Sequence, residues 1–150
     1  MATNVRLISA TPDEVFAVLA NGWLYSSWVV GASRMRNVSD GWPAEGETLH
    51  HSVGLWPLLI DDTTSMLEWD SPRRAVLQAR GWPLGEARVV IEAKPRGSGS
   101  VVRIYEDASR GPGARIPRPL RGAILHLRNR ETLQRLAWLA EGGAAAFRER

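Results

Sequence analysis

The last third of the chain, residues 119–140, has the residue spacing of one long α-helix. Five residues at intervals of three or four form a stripe along it: Leu125, Asn129, Leu133, Leu136 and Ala140. Gly122 begins this stripe and predicts a close approach by another backbone or by a ligand. Because no other segment predicts a helix of this length, we expect this helix to cover the apolar face of the elements before it.

Seven segments before this helix predict short strands. They are residues 4–9, 31–38, 47–53, 59–69, 74–80, 86–94 and 101–107. Segment 86–94 alternates clearly, since Ala87 and Val89 fall on one face and Arg88 and Glu92 on the other. Short turn-forming segments link most of the strands, which favours hairpins and therefore an antiparallel sheet.

Two short helices are predicted between the first two strands. Thr11 suits the N-cap of the first helix, Pro12 suits its first position, and Glu14 completes a capping box. Residues 23–29 predict the second helix. The sequence therefore predicts a single α+β domain over residues 1–150, in which a seven-stranded curved antiparallel sheet wraps around a long C-terminal helix.

Four short motifs occur in a characteristic order along the chain. They are Thr11-Pro12-Asp13-Glu14-Val15-Phe16 with Trp28 closing the second helix, Trp69-Asp70-Ser71-Pro72-Arg73-Arg74, Gly99-Ser100-Val101-Val102, and Arg128-Asn129-Arg130-Glu131-Thr132-Leu133. Together with the order of elements, they make the whole chain resemble the helix-grip fold of the START-like (SRPBCC) superfamily, in particular its polyketide cyclase/dehydrase branch. The resemblance implies a pocket for a hydrophobic compound between the sheet and the helix. It implies the fold strongly and the function weakly, because only some members of the superfamily are enzymes.

Composition excludes several classes of protein. The chain contains no cysteine, which rules out disulfides, thiol nucleophiles and cysteine-ligated metals. No apolar run approaches the roughly 18 residues that span a bilayer, and no signal-peptide pattern is present, so we expect a cytoplasmic protein without a membrane span. The net charge is only +3 although the pI is about 10.1, and no recognition motif accompanies it, so we predict no nucleic-acid partner.

His50 and His51 are candidate acid–base residues. Neighbours on a strand point to opposite faces, so only one of the two can face a pocket, and they cannot ligate the same metal ion. A hydrogen-bonded structural histidine is the simpler interpretation of each. Because no spaced set of His, Asp and Glu accompanies them, we predict no metal site and no cofactor.

Glu106 is the stronger candidate for catalysis. The alternation through Val102 and Ile104 places it on the inward face near the end of the last strand. An acid that faces an apolar cavity suits general acid or base chemistry. The alternative is that the strand ends earlier and Glu106 pairs with an arginine at the rim.

Further residues are predicted to bind a ligand, each with a structural alternative. Asn129 lies on the helix stripe, where a buried amide either holds the helix to the sheet or bonds a ligand. Arginines at the start of the long helix suggest an anion site, against the alternative of solvated side chains. The complete set is Trp56, Trp69, Leu77, Trp82, Ile104, Arg118, Arg121, Leu125 and Asn129.

Three functions remain open from the sequence. The leading one is binding of a hydrophobic or aromatic small molecule, lipid-like or polyketide-like, between the sheet and the C-terminal helix. The first alternative is a cofactor-free enzyme of the polyketide cyclase/dehydratase type, in which Glu106 and a pocket histidine move protons. The second is a protein-interaction module that uses the arginine-rich segment 110–130 and the apolar side chains of Ile124 and Leu127. A pocket filled by side chains would favour the interaction module.

Overall fold

The computed structural model describes residues 2–53, 57, 59–80 and 85–143. Its seven strands are β1 (Ala2–Ile8), β2 (Ala32–Val38), β3 (Thr48–Val53), β4 (Ile60–Asp70), β5 (Arg74–Arg80), β6 (Glu86–Arg96) and β7 (Gly99–Arg110). Its helices are α1 (Pro12–Ala20), α2 (Tyr25–Trp28) and α3 (Arg118–Glu141), and short 3-10 turns cover Gly22–Leu24 and Pro112–Arg115. The predicted order of elements is confirmed.

All seven strands belong to one antiparallel sheet with the order β1-β7-β6-β5-β4-β3-β2. The chain's first strand therefore pairs with its last, which places β1 and β2 at the two edges. Helix α3 packs on β1, β7, α1 and α2. The predicted fold, a curved sheet that grips a long C-terminal helix, is confirmed.

The predicted stripe of α3 forms much of the core. Four of its five residues, Asn129, Leu133, Leu136 and Ala140, are buried, and Leu125 is partly buried. Thr132 and Ala137, which lie beside the stripe, are buried as well. The apolar residues Leu133, Leu136, Ala137 and Ala140 belong to one core cluster with inward residues of the sheet such as Ile91, Val102 and Ile104. Gly122 does not have the predicted close neighbour, because no described atom lies within 4 Å of the position a Cβ would take there.

The capping box of α1 is present as predicted. The Thr11 side chain accepts from the Glu14 backbone N–H at 3.2 Å, and the Glu14 carboxylate accepts from the Thr11 backbone N–H at 3.2 Å. Each bond satisfies a donor that a helix start leaves without an intrahelical partner. The predicted second helix over 23–29 is shorter, because its first part is the 3-10 turn Gly22–Leu24.

Strand β1 directs Val5 and Leu7 outward, contrary to the expectation of a buried apolar face, whereas Ala2 and Ile8 at its two ends are buried. Val5 and Leu7 are each 60% exposed, whereas Asn4 is buried. Asn4 Nδ2 donates to the backbone carbonyl of His126 at 3.1 Å. Asn4 therefore faces α3 and bonds to it, although the alternation of residues in this edge strand does not predict which face turns inward.

The last strand differs from its prediction in length. β7 extends to Arg110, three residues beyond the predicted end at residue 107, and the 3-10 turn Pro112–Arg115 follows it. The extra residues pair with β6, including Ala108 with Ala87. This extension places Glu106 well inside the strand. In the part of the chain that the structure describes, no helix is both long enough and apolar enough to cross a membrane.

Candidate functional site

Two adjoining cavities lie between the sheet and helix α3. The inner cavity has a volume of about 20 Å³ and is lined by Tyr25, Trp28, Val29, Leu77, Ala79, Val89, Ile104, Glu106, Arg128, Asn129 and Thr132. The outer cleft has a volume of about 150 Å³ and is lined by Ala79, Arg80, Gly85, Glu86, Ala87, Glu106, Ala108, Ile116, Arg121, Ile124, Leu125 and Arg128. Ala79, Glu106 and Arg128 line both. The two cavities therefore meet at these three residues.

One face of α3 supplies the helical wall of both cavities. Arg121, Leu125, Arg128 and Thr132 follow at intervals of four, three and four residues, which places them on a common face. Arg121 and Leu125 line the outer cleft, and Thr132 lines the inner cavity. From its N-terminus onward, α3 therefore passes first along the outer cleft and then along the inner cavity.

Glu106 and Arg128 form an ion pair where the cavities meet. Arg128 Nη1 donates to Glu106 Oε1 at 2.8 Å, and Arg128 Nε donates to the backbone carbonyl of Val30 at 3.1 Å. The Glu106 side chain is 2% exposed and that of Arg128 is 33% exposed. The carboxylate is therefore held by a guanidinium that reaches it from the solvent side.

The other arginines of the outer cleft also have acidic partners. Arg80 pairs with Glu86 at 3.3 Å and Arg121 with Asp107 at 3.4 Å. Arg121 also donates to the backbone carbonyl of Ala114 at 2.9 Å. Their charges are compensated by these carboxylates, so the described lining offers a ligand largely apolar surface and paired charge.

A buried chain of hydrogen bonds leads from β3 to the inner cavity. His51 Nε2 and Thr64 Oγ1 are 2.9 Å apart, and Thr64 Oγ1 and the Tyr25 hydroxyl are 3.0 Å apart. The Tyr25 and His51 rings are also stacked at a tilt, with their centroids 5.0 Å apart. Tyr25 is the member of this chain that lines the cavity.

Burial determines the protonation of this chain. It lowers the pKa of His51 below its ordinary value of 6.5, and nearby Asp62 opposes the shift only in part. Burial likewise raises the pKa of Tyr25 above 10.0. At neutral pH this hydrogen-bonded chain therefore consists of the neutral His51 imidazole, the Thr64 hydroxyl and the protonated Tyr25 phenol.

The predicted site residues are divided by the structure. Leu77, Ile104, Glu106 and Asn129 line the inner cavity, and Arg121 and Leu125 line the outer cleft. His51 faces inward but reaches the inner cavity only through Thr64 and Tyr25, and it is not among the lining residues. His50 lies on the opposite face, near Thr48 and Thr63.

Of the four remaining predicted residues, two line neither cavity and two lie outside the described residues. Trp69 packs on Phe16 of α1 with ring centroids 5.3 Å apart, so its contribution is to the core and not to the described cavity walls. Arg118 is exposed at the first position of α3 and is absent from both linings. Trp56 and Trp82 lie outside the described residues.

Among the lining residues that were not predicted as site residues, four are aromatic or polar side chains from the helices. Tyr25 and Trp28 come from α2, and Arg128 and Thr132 come from α3 beside the predicted stripe. The spacing of Arg121, Leu125, Arg128 and Thr132 is itself a helical stripe, so this signal was present in the sequence. Polar side chains within it obscured the pattern.

No group of three or more His, Cys, Asp or Glu residues that could hold a metal ion occurs among the described residues.

Exposed apolar residues occur on α3. Leu120, Ile124, Leu127 and Trp138 are 56%, 51%, 66% and 62% exposed, respectively. Of these four, only Ile124 lines the outer cleft.

Comparisons with known proteins identify the architecture. A family model described as polyketide cyclase/dehydrase and lipid transport matches residues 2–141. A crystal structure from Nitrosomonas europaea is similar, with a TM-score of 0.72 and 18% identity over 95% of each chain. Ara h 8.0201 has a TM-score of 0.71 and 8% identity over 93% of this chain and 96% of its own.

A third structure is the di-domain ARO/CYC StfQ of the steffimycin biosynthetic pathway. Its TM-score is 0.70 and its identity 11%, and the match covers 95% of this chain and 50% of StfQ. At these identities, the three structural matches establish similarity of fold. A search of curated protein sequences finds no match.

Proposed function

This chain belongs to the polyketide cyclase/dehydrase and lipid transport family, and we propose that it binds a hydrophobic or aromatic small molecule in the outer cleft. The observation that carries the proposal is the cleft itself, which adjoins a smaller inner cavity at Glu106 and Arg128. Its apolar walls come from the sheet, from α3 and from Ile116 in the segment that precedes α3. These include Ala87, Ala108, Ile116, Ile124 and Leu125.

The volume of the cleft suits a small ring system. Apolar protein cavities of about 150 Å³ accommodate a molecule the size of benzene. The outer cleft has a volume of about 150 Å³, and Ile124 at its wall is 51% exposed, so the ligand can reach it from the solvent. A ligand with one aromatic ring fits this space, and a longer one extends past Ile124.

The charges of the cleft favour a neutral ligand. Arg80, Arg121 and Arg128 each have a carboxylate partner. An anionic ligand would have to compete with these carboxylates for the same guanidinium groups. We therefore propose an apolar body as the main determinant of binding and do not place an anion site at the start of α3.

Proton-transfer chemistry on the bound molecule is the second candidate function. The observation that favours it is that the Glu106 side chain, 2% exposed, lines both cavities. In its ionised form the carboxylate can accept a proton from a bound compound, as a general base does. Neither His50 nor His51 lines the described cavities, so this candidate uses Glu106 without a histidine that contacts the ligand.

Native mass spectrometry of freshly purified protein tests the binding function. We expect a non-covalent adduct that disappears on denaturation. Leu125→Trp fills the cleft from α3 and should reduce the adduct, whereas Leu127→Trp on an exposed part of the same helix should retain it. An adduct of equal abundance in wild type and Leu125→Trp, or the absence of any adduct, would contradict the proposal.

A further inference from the structure

The inner cavity contains two buried hydrogen-bond donors that lack an acceptor. Trp28 and Asn129 both line it, and Trp28 Nε1 and Asn129 Nδ2 have no hydrogen-bond partner in the structure. Trp28 is 3% exposed and Asn129 1% exposed. Buried donors without a partner are rare because each costs free energy, so these two indicate a missing acceptor.

The other polar residues of the inner cavity already have partners. The Tyr25 hydroxyl bonds Thr64, and the Thr132 hydroxyl accepts from the Val30 backbone N–H at 3.4 Å. Arg128 donates to Glu106 and to the Val30 carbonyl. The acceptor that Trp28 and Asn129 lack is therefore not supplied by their neighbours in this cavity.

We propose that Trp28 Nε1 and Asn129 Nδ2 bind the carbonyl oxygen of a neutral ligand whose apolar body occupies the outer cleft. This inference rests on the proposed binding function and specifies the ligand's chemical class. A carbonyl oxygen has two lone pairs and can accept from both donors at once. It is also small enough for the inner cavity, whose volume of about 20 Å³ corresponds to one water molecule.

The charge next to the cavity selects against a carboxylate at this position. Glu106 lines the same space, and its guanidinium partner is already engaged. A second carboxylate would be repelled by the first in a poorly hydrated environment. In the ligand-free protein, one water molecule can take the place of the carbonyl oxygen and accept from the same donors. The ligand then displaces this water.

The test compares two probes of the same shape. Acetophenone carries a carbonyl group, and α-methylstyrene carries a CH₂ group in place of the oxygen. Their affinities are measured by NMR titration in wild type, Asn129→Leu and Trp28→Phe, with Gln134→Leu as the control because Gln134 lines neither described cavity. The Trp28 indole N–H resonance, assigned in wild type by triple-resonance NMR, reports directly on the proposed bond.

We expect the ratio of acetophenone affinity to α-methylstyrene affinity to fall about tenfold in Asn129→Leu and in Trp28→Phe. It should stay unchanged in Gln134→Leu. In wild type, acetophenone should move the Trp28 indole proton downfield and α-methylstyrene should not. The two probes differ in hydration by the same amount in every protein, so this difference cancels when the ratio is compared between proteins.

Two results would overturn the inference, and they are distinguishable. If both probes bind but the ratio is the same in all four proteins, the carbonyl site is wrong and the binding function survives. If neither probe binds, the proposed function fails together with the inference. The wild-type comparison depends on no substitution, so it stays informative even if a variant does not fold.

Discussion

Arg128 on helix α3 and Glu106 on strand β7 form an ion pair between two cavities, with Arg128 Nη1 and Glu106 Oε1 2.8 Å apart. The Glu106 side chain is almost fully buried, whereas one third of the Arg128 side chain is exposed to solvent. A ligand that extends from the outer cleft into the inner cavity must pass these side chains.

Removing the guanidinium should destabilise the protein more than an ordinary surface ion pair would. Arg128→Met leaves the buried Glu106 carboxylate without its charged partner, and we expect a loss of about 2 kcal/mol, less than for a fully buried pair because Arg128 is partly solvated. Denaturant unfolding measures the change. The double variant Glu106→Gln/Arg128→Met should recover part of it, since no charge is then left unpaired.

Arg135→Met is the matched control on the same helix. Arg135 pairs with Glu131 at 3.0 Å, and both side chains are substantially exposed. An exposed pair of this kind contributes about 0.3–0.5 kcal/mol. Equal losses for Arg128→Met and Arg135→Met would show that the pair between the cavities has no special structural role.

The hydrogen-bond chain behind the inner cavity should depend on one hydroxyl. Thr64→Val removes the partner of both the His51 ring and the Tyr25 hydroxyl, and we expect a loss of about 2 kcal/mol in the free energy of unfolding. Thr63→Val is the control, because the neighbouring Thr63 lies only half-buried on the opposite face of β4. If Thr64→Val is as stable as the control, the hydrogen bonds of Thr64 to His51 and Tyr25 do not contribute to the stability of the fold.

Burial of His51 should make the protein sensitive to acid. The folded pKa lies below 6.5, so as the pH falls below 6.5 the unfolded state binds a proton before the folded state does. The free energy of unfolding then decreases with falling pH, by at most about 1.4 kcal/mol per pH unit, until the folded pKa is passed. Well above pH 6.5 both states are neutral and this contribution is constant.

Urea unfolding between pH 5 and pH 8 checks this prediction. His51→Gln lacks the titrating ring, so its stability should fall less steeply between pH 6.5 and pH 5 than that of wild type. A pH dependence that is the same in both proteins would assign the acid sensitivity to other groups.

Local sequence signals predicted much of the fold because they depend on residues close in the chain. The alternation through Val102, Ile104 and Glu106 placed Glu106 on the inward face, where the structure has it. The Thr11–Glu14 capping box marked the start of α1. The apolar period of α3 identified the helix that the sheet grips. Each of these signals depends only on residues that are close to one another in the sequence.

The cavity walls were less predictable because they depend on distant contacts. Glu106 and Arg128 are 22 residues apart, and their pairing follows from how α3 crosses β7. The outward orientation of Val5 accompanies a bond between Asn4 and His126, which are 122 residues apart. Alternation alone indicates two faces of a strand but not which of them the helix will cover.

The most direct test of the binding site is an NMR titration of wild-type protein with toluene, which has an apolar ring of suitable size and no polar group. We expect saturable shifts at the methyl groups of Ile116, Ile124 and Leu125, which line the outer cleft, and no shift at the exposed Leu127. Shifts confined to Leu127 and the exposed Leu120, or no saturable shift at all, would contradict a ligand site between the sheet and α3.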